Sequence, residues 1–149
     1  MSHQPIKYHR RRELPLKQII ALYRANGWSA ADKPQRLKRG LRNSHAVVSA
    51  WDGQRLVGLG NAISDGSLVV YYPHLLVHPD YHGRGIGRRI LMLLLAKYAK
   101  FHQQMLVAEP QAARFYRKFG FKPAGRAQAL EIFQGHEHQP KTKAARRCE

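Results

Sequence analysis

The apolar positions of this chain alternate between two periods, and the switches between them predict its elements. Leu16, Ile19, Ile20 and Tyr23 recur at helical spacing behind Pro15, and Asn26-Gly27 closes the run, so a first helix is expected from about 15 to 26. Leu37 and Leu41 mark the thin buried stripe of a second, strongly basic helix over 34–42. The period then shortens to that of strands. Asp52-Gly53 and Asp65-Gly66 separate three β-favouring runs, 45–51, 55–64 and 68–78, which reads as an antiparallel meander. A short strand within 6–12 precedes them, with Ile6 and Tyr8 on one face. Helical spacing returns at Ile86, Ile90, Leu91, Leu94, Tyr98 and Phe101, predicting a long helix over about 85–102. A short strand at 105–108, a helix over 110–119 closed by Gly120, and a last strand or hairpin from Phe121 with 129–133 as its second arm complete the order.

Two strand runs carry irregularities. Gly58 and Gly60 weaken the middle run and point to a bulge or a close backbone approach. Pro73 cannot donate to a ladder, so the third run is expected to break at Pro73-His74 by a bulge, leaving nearby backbone groups free for a ligand.

The chain has 149 residues, which suits one domain, expected here over 1–134. Residues 135–149 are polar and aperiodic and are expected to form a mobile tail. The 26 Lys and Arg against 9 Asp and Glu give a net charge of +17. The basic residues are spread along the chain, and such a surface favours polyanionic partners, nucleic acid or a phosphorylated cofactor alike, over cationic ones at long range. A charge that serves solubility alone is the plainer reading. The single cysteine, Cys148, allows no internal disulfide, and no apolar leader or long apolar window is present, so a cytoplasmic protein without membrane association is expected, as monomer or homodimer.

The residues 75–87, Leu-Leu-Val-His-Pro-Asp-Tyr-His-Gly-Arg-Gly-Ile-Gly, run from an apolar strand through a turn into a helix start. That order presents bare backbone N–H groups and a helix dipole to an anion. A Rossmann fingerprint is not met, because Arg88 stands where its third glycine belongs and no acid follows at the required distance, and the Gly-Lys-Ser/Thr of a P-loop is missing. Arg84, Arg88 and Arg89 oppose the dipole of this helix start unless an anion sits nearby. Further on, 109–121 reads Glu-Pro-Gln-Ala-Ala-Arg-Phe-Tyr-Arg-Lys-Phe-Gly-Phe, with Ala112, Phe115 and Phe119 on one helical face and Tyr116 beside it.

Both stretches resemble motifs of the GNAT N-acetyltransferase superfamily. His82-x-x-Gly85-x-Gly87 is similar to its acyl-CoA pyrophosphate loop, and Ala112, Phe115-Tyr116, Lys118 and Gly120-Phe121 are similar to its second motif, with Glu109 where the family usually has an asparagine that contacts the pantetheine arm. The resemblance implies an α/β (α+β) fold, a mixed, mostly antiparallel sheet of six to seven strands splayed between the fourth and fifth and flanked by about four helices. It implies acetyl-CoA as cosubstrate, no metal, and direct attack by a primary amine of a small molecule or a protein in a ternary complex.

The cofactor is then expected along Leu75, Leu76 and Val77 and at His82, Gly83, Arg84, Gly85, Ile86, Gly87 and Arg88, with a backbone N–H near Leu76 polarising the thioester. Tyr116 matches the family's acid to the leaving thiolate. No acid lies in 68–79, so His74 is the candidate base, with Asp65 second and a water chain without a dedicated base as the other possibility. Tyr23, Trp28 and Tyr72 are the candidate acceptor lining, although a tryptophan in a loop also serves as a core plug. His136-x-His138 has too few ligands for a metal site. The rival reading is a basic nucleic-acid- or ribosome-associated binding module on a degenerate scaffold of the same fold.

Overall fold

The computed structural model describes residues 4–137. In chain order they form β1 (Lys7–His9), α1 (Leu16–Ala25), α2 (Pro34–Arg42), β2 (Ala46–Asp52), β3 (Arg55–Ser64), β4 (Val69–Tyr71), β5 (Leu75–Val77), α3 (Ile86–Tyr98), β6 (Gln103–Met105) and α4 (Pro110–Arg117). Short 3-10 turns occupy Ser29–Asp32 and Pro79–Tyr81. The sheet order is β1-β2-β3-β4-β6, with β5 also paired to β3, and every pairing is antiparallel except the parallel one between β4 and β6. This is the expected mixed, mostly antiparallel sheet with four α-helices.

Helix α1 starts behind Pro15 and ends where Asn26 folds its side-chain amide onto the Leu22 carbonyl at 3.0 Å, followed by Gly27 at φ 69°. It buries Ile19, Leu22 and Tyr23, and α2 adds Leu37 and Leu41. These side chains join Val47, Trp51, Leu56, Leu59 and Leu76 in one core. A second core joins α3, through Ile86, Ile90, Leu94 and Tyr98, to Val48, Val57, Ala62, Val70 and Tyr72.

Helix α3 lies unusually close to β3, and the two strand glycines are the reason. A Cβ at Gly60 would stand 2.8 Å from Ile90 Cγ2 and 3.0 Å from Leu94 Cδ1, and one at Gly58 would stand 2.9 Å from Ile90 Cδ1. The close approach expected of these glycines is therefore what they provide. A bulge falls in the same run: Ala50 faces Gly58 and Trp51 faces Leu56, so Val57, next to Gly58, is the extra residue.

The third strand run does break at Pro73, into β4 and β5. Both halves pair with β3, but the register advances by one residue across the break, since Ile63 faces Tyr71 whereas Gly60 faces Leu75. One extra residue inverts the alternation of faces. Val70 and Tyr72 accordingly lie in the α3 core, and beyond the break Leu76 lies in the α1 core.

Three expectations are corrected. Helix α3 ends at Tyr98, and Phe101 packs against the second core from beyond it. The next strand is Gln103–Met105 rather than 105–108, because its ladder to β4 closes at the Tyr72 N–H to Met105 carbonyl bond of 2.9 Å. No strand or hairpin forms from Phe121 to 137 among the described residues; the stretch turns at Gly125, with φ 63°, and leaves Leu130 and Ile132 90% and 94% exposed. The proposed tail lies mostly outside the described residues, as do Cys148 and His138.

The packing of α3 on β3 is testable by a matched pair. Gly60→Ala should lower unfolding stability by about 1–3 kcal/mol through overpacking. Gly40→Ala, on α2 with nothing within 4 Å of the added Cβ, should instead raise it by about 0.5–1 kcal/mol. Denaturant melts of both would read the contrast; equal effects would refute the close approach.

Candidate functional site

The break at Pro73 opens the sheet on one side. Strand β6 follows β4 and stops, so β5 is paired with β3 along one edge and has no strand on its other edge among the described residues. The hydrogen bonds say which backbone groups face that opening. Asn61 donates to the His74 carbonyl at 3.1 Å and His78 donates to the Val57 carbonyl at 2.8 Å. Alternation along an antiparallel pair then places the N–H and C=O of Leu76 in the ladder to β3 and turns those of Leu75 and Val77 outward, into the splay. Leu76 also buries its side chain in the α1 core. The exposed strand edge is thus formed by the neighbours of Leu76 rather than by Leu76 itself.

The loop after β5 leads to the start of α3. His82 donates through Nε2 to the Val77 carbonyl at 2.8 Å, which ties the loop to the end of β5. Gly83 and Gly85 have φ of 78° and 76°, the left-handed region that favours glycine, and nothing lies within 4 Å of where their Cβ atoms would be. Space for a ligand group is therefore present at both. Gly85 caps α3 without any side-chain hydrogen bond, so the first N–H groups of the helix, from Ile86 to Arg88, are offered to solvent or to an anion. The Arg84 guanidinium lies over the Tyr81 ring at 4.8 Å, and Arg88 over the Phe119 ring at 5.9 Å. A Cβ on Gly87 would lie 3.5 Å from Val77 and 4.0 Å from Phe115, so the first turn of α3 meets both β5 and α4 at this residue. Val77, the glycine loop and the start of α3 thus come together here, while Leu76 faces the α1 core.

Tyr116, on α4, packs its ring against Phe115 at 5.1 Å and Phe121 at 6.0 Å. Burial pushes its hydroxyl pKa up, so the group is protonated at neutral pH and is a donor.

His74 lies on the opposite side of the opening, just past the break. Its ring stands edge-on to Tyr23 at 5.4 Å and to Trp28 at 5.3 Å, and those two rings meet each other at 5.8 Å. Its Nδ1 is hydrogen-bonded to the Tyr23 hydroxyl at 2.8 Å. Three candidates expected from separate stretches of the sequence are therefore one cluster. Burial is the main cause that drives the His74 pKa down to about 4, against a smaller upward pull from Glu137, and burial likewise raises that of Tyr23. Tyr72 is not part of the cluster. Its ring faces Tyr98 and Phe121, and its hydroxyl donates to Gln104 Oε1 at 2.7 Å, because the one-residue slip at Pro73 puts it on the α3 side.

Asp65 is used structurally. One of its carboxylate oxygens accepts the N–H groups of Ser67, Leu68 and Val69 at 3.0, 2.8 and 3.1 Å, which lowers its pKa and fixes the turn before β4.

Two residues escaped sequence reasoning. Asn61 takes over the ladder position spoiled by the break: its Oδ1 accepts the His74 N–H at 3.1 Å and its Nδ2 donates to Ser44 Oγ at 3.1 Å. An amide within the apolar run 55–64, opposite a proline, was the available signal. Glu137 hydrogen-bonds to Ser29, beside Trp28, and a contact across 108 residues leaves no local trace.

The profile of the family described as Acetyltransferase (GNAT) domain matches residues 18–142. The uncharacterized N-acetyltransferase ycf52 of Pyropia yezoensis is 28% identical over 117 residues, which cover 74% of this chain and 66% of that protein, so the chain spans just under two thirds of that relative's length. A GNAT-family acetyltransferase of Streptococcus pneumoniae TIGR4 has a TM-score of 0.76 and 27% identity, over 87% of this chain and 99% of the other. The structure of AAC(6')-Iy in complex with a bisubstrate analogue, CoA-S-monomethyl-acetylneamine, has a TM-score of 0.67 over the same shares at 14% identity, a likeness of fold alone.

The burial of His74 has a consequence for stability. Its folded pKa of about 4 lies below the ordinary 6.5, so acid protonates the unfolded chain first. The contribution of His74 is complete above pH 6.5 and is lost as pH falls toward 4. Denaturant midpoints at pH 7.5 and pH 5 should show a drop that is smaller in His74→Phe; an equal drop in both proteins would show that His74 titrates normally.

Proposed function

The chain belongs to the GNAT acetyltransferase family, and from that premise we propose that it moves an acetyl group from acetyl-CoA to a primary amine by direct attack with both substrates bound. The observation that carries this reading is the meeting, at Gly87, of an unpaired strand edge, a left-handed glycine loop and an uncapped helix start. Acetyl-CoA supplies an activated thioester and three phosphate groups. The N–H groups at the start of α3 suit its pyrophosphate, with Arg84 and Arg88 beside them for further charge. The outward N–H and C=O groups of Leu75 and Val77 suit the amides of its pantetheine arm, except that the Val77 carbonyl is already engaged by His82. An N–H of this same edge is the donor in place to polarise the thioester carbonyl, and such a donor is worth about 100- to 1,000-fold in rate.

Two proton transfers remain. The attacking nitrogen loses a proton and the sulfur gains one. Tyr116, protonated and half-buried, donates to the sulfur. His74, neutral at pH 7, accepts from nitrogen through Nε2 in the tautomer whose Nδ1–H donates to Tyr23. A base of such low proton affinity is weak against a free ammonium, so the acceptor reacts from its neutral form and His74 takes the proton released as the new C–N bond forms. Tyr23 and Trp28, whose rings pack on His74, border the acceptor. The partner is thus a small-molecule or protein amine. No helix among the described residues is long and apolar enough to cross a membrane.

Calorimetric titration should give micromolar-range binding of acetyl-CoA that Gly85→Glu abolishes. RNA binding with a steep salt slope, without any binding of acetyl-CoA, would overturn the enzyme reading in favour of a nucleic-acid module. Tyr116→Phe should lower kcat by about tenfold or more and leave acetyl-CoA affinity within about twofold. An unchanged kcat would remove Tyr116 from the acid role.

A further inference from the structure

The sheet face that carries the His74 ring continues beyond the α1 core, and there it is apolar and bare. Leu59 packs in that core, so alternation along β3 puts Asn61 and Ile63 on the same face. Tyr71 pairs with Ile63, and Met105 pairs with Tyr71. Paired residues share a face, so one strip crosses β3, β4 and β6. Val69 joins it two residues before Tyr71, and Val107 lines it where the chain has left β6. These five side chains are 39% to 57% exposed, and they border a groove of about 470 Å³. That size suits a small organic group. No lysine or arginine lines the groove, although the chain holds 26. Its one charged residue, Asp65, has a carboxylate oxygen taken by three backbone N–H groups.

Two links tie this groove to the cleft. Asn61 lies two residues from Ile63, about 7 Å along the strand, and its Oδ1 accepts the His74 N–H at 3.1 Å. On the other side, the ladder from β4 to β6 closes at Tyr72 and Met105, and Leu106 and Val107 run on in the direction of β5 without pairing to it. The groove therefore opens into the splay. Resting on the acetyltransferase reading, we propose that it seats an apolar group of the acceptor, so that the preferred substrate is a primary amine joined by a short chain to an aromatic ring or a branched alkyl group. The rings of Tyr23 and Trp28 fill the other side of His74, so the body of the acceptor lies away from them, over Ile63 and Tyr71. A polar group placed there would lose water without gaining a partner, and a second ammonium would meet the net positive charge of the chain. The same chemistry occurs on a free aralkylamine and at the N-terminus of a polypeptide whose first residue is apolar.

The test titrates the full chain, saturated with CoA, with two pairs of amines in a calorimeter. One pair is 2-phenylethylamine and 2-aminoethanol, and the other is the tripeptides Phe-Gly-Gly and Gly-Gly-Gly. In at least one pair the apolar member should bind about tenfold more tightly, which corresponds to about 55 Å² of apolar surface removed from water. A preference confined to one pair identifies the source as a small amine or a polypeptide. Tyr71→Ser and Met105→Ser should each bring that ratio to about threefold or less, with acetyl-CoA affinity unchanged as the sign of an intact fold. Met92→Ser trims a similarly exposed methionine on α3 and should leave the ratio as it is. Equal affinities within both pairs, no binding of any of the four, or a ratio that both groove replacements leave intact would overturn the proposal. So would a dimer that Met105→Ser dissociates in a chain without preference among the amines, since a second copy would then fill the groove. The acetyl-CoA titration is run first, and a chain that does not bind acetyl-CoA sinks the acetyltransferase reading instead.

Discussion

Pro73 has no N–H to give, and the rest of the site follows from that deficit. A regular strand over 68–78 would pair with β3 along its whole length and keep one alternation of faces. The proline breaks the ladder, one residue is left over, and the two halves resume pairing a step out of phase. The slip sends Tyr72 to the α3 core and His74 to the cluster with Tyr23 and Trp28. Such a defect would ordinarily leave a buried donor without a partner. Asn61 supplies the missing acceptor from its side chain, and Ser44 in turn takes the amide's donor. A break that is satisfied in this way is stable without being repaired, so the sheet keeps its opening.

The opening would be of little use without a helix pressed against its floor. Gly58 and Gly60 let α3 sink onto β3, and that depth brings the first turn of α3 down beside Val77. The clamp from His82 to the Val77 carbonyl then sets the loop at a fixed height above the strand edge. Strand edge, loop and helix start are thus positioned by backbone and glycine geometry rather than by long polar side chains. That suits a ligand gripped mainly through its phosphates and amides, which one set of backbone groups can hold whatever acceptor is presented.

Much of this was legible in the sequence, and the limits have physical causes. The elements up to α3 and the glycine loop follow from periodicity and turn chemistry, which are local. The break at Pro73 was legible because proline's defect is intrinsic to the residue. Its direction was not, since whether a bulge adds a residue, and hence which face Tyr72 takes, depends on pairing with β3. The strand at Gln103–Met105 starts two residues and ends three residues before the expected one, because its bounds are set by where it leaves β4, not by its own composition. The apolar residues Leu130 and Ile132 suggested a final strand, yet they lie exposed without a ladder partner. Strand propensity without a paired edge does not make a strand.

The electrostatics of the two sides of the cleft are opposite, and the difference bears on how proton transfer is arranged. The side at the start of α3 is basic, with Arg84 and Arg88 beside an uncapped helix start, which in the proposed reading faces the phosphates. On the acceptor side, burial makes His74 resist protonation and raises the pKa of Tyr23, so the pair stays neutral across the physiological range. A neutral imidazole does not repel an approaching ammonium, which an imidazolium in a chain of net charge +17 would do. If His74 is the base proposed above, the low proton affinity that makes it a weak one also keeps the acceptor path free of a like charge. Its cost is that the base limb lies far below neutrality. Between pH 6 and 9 the rate would follow the acceptor's own ionisation, and the enzyme's groups would set only how fast the neutral amine, once formed, is used.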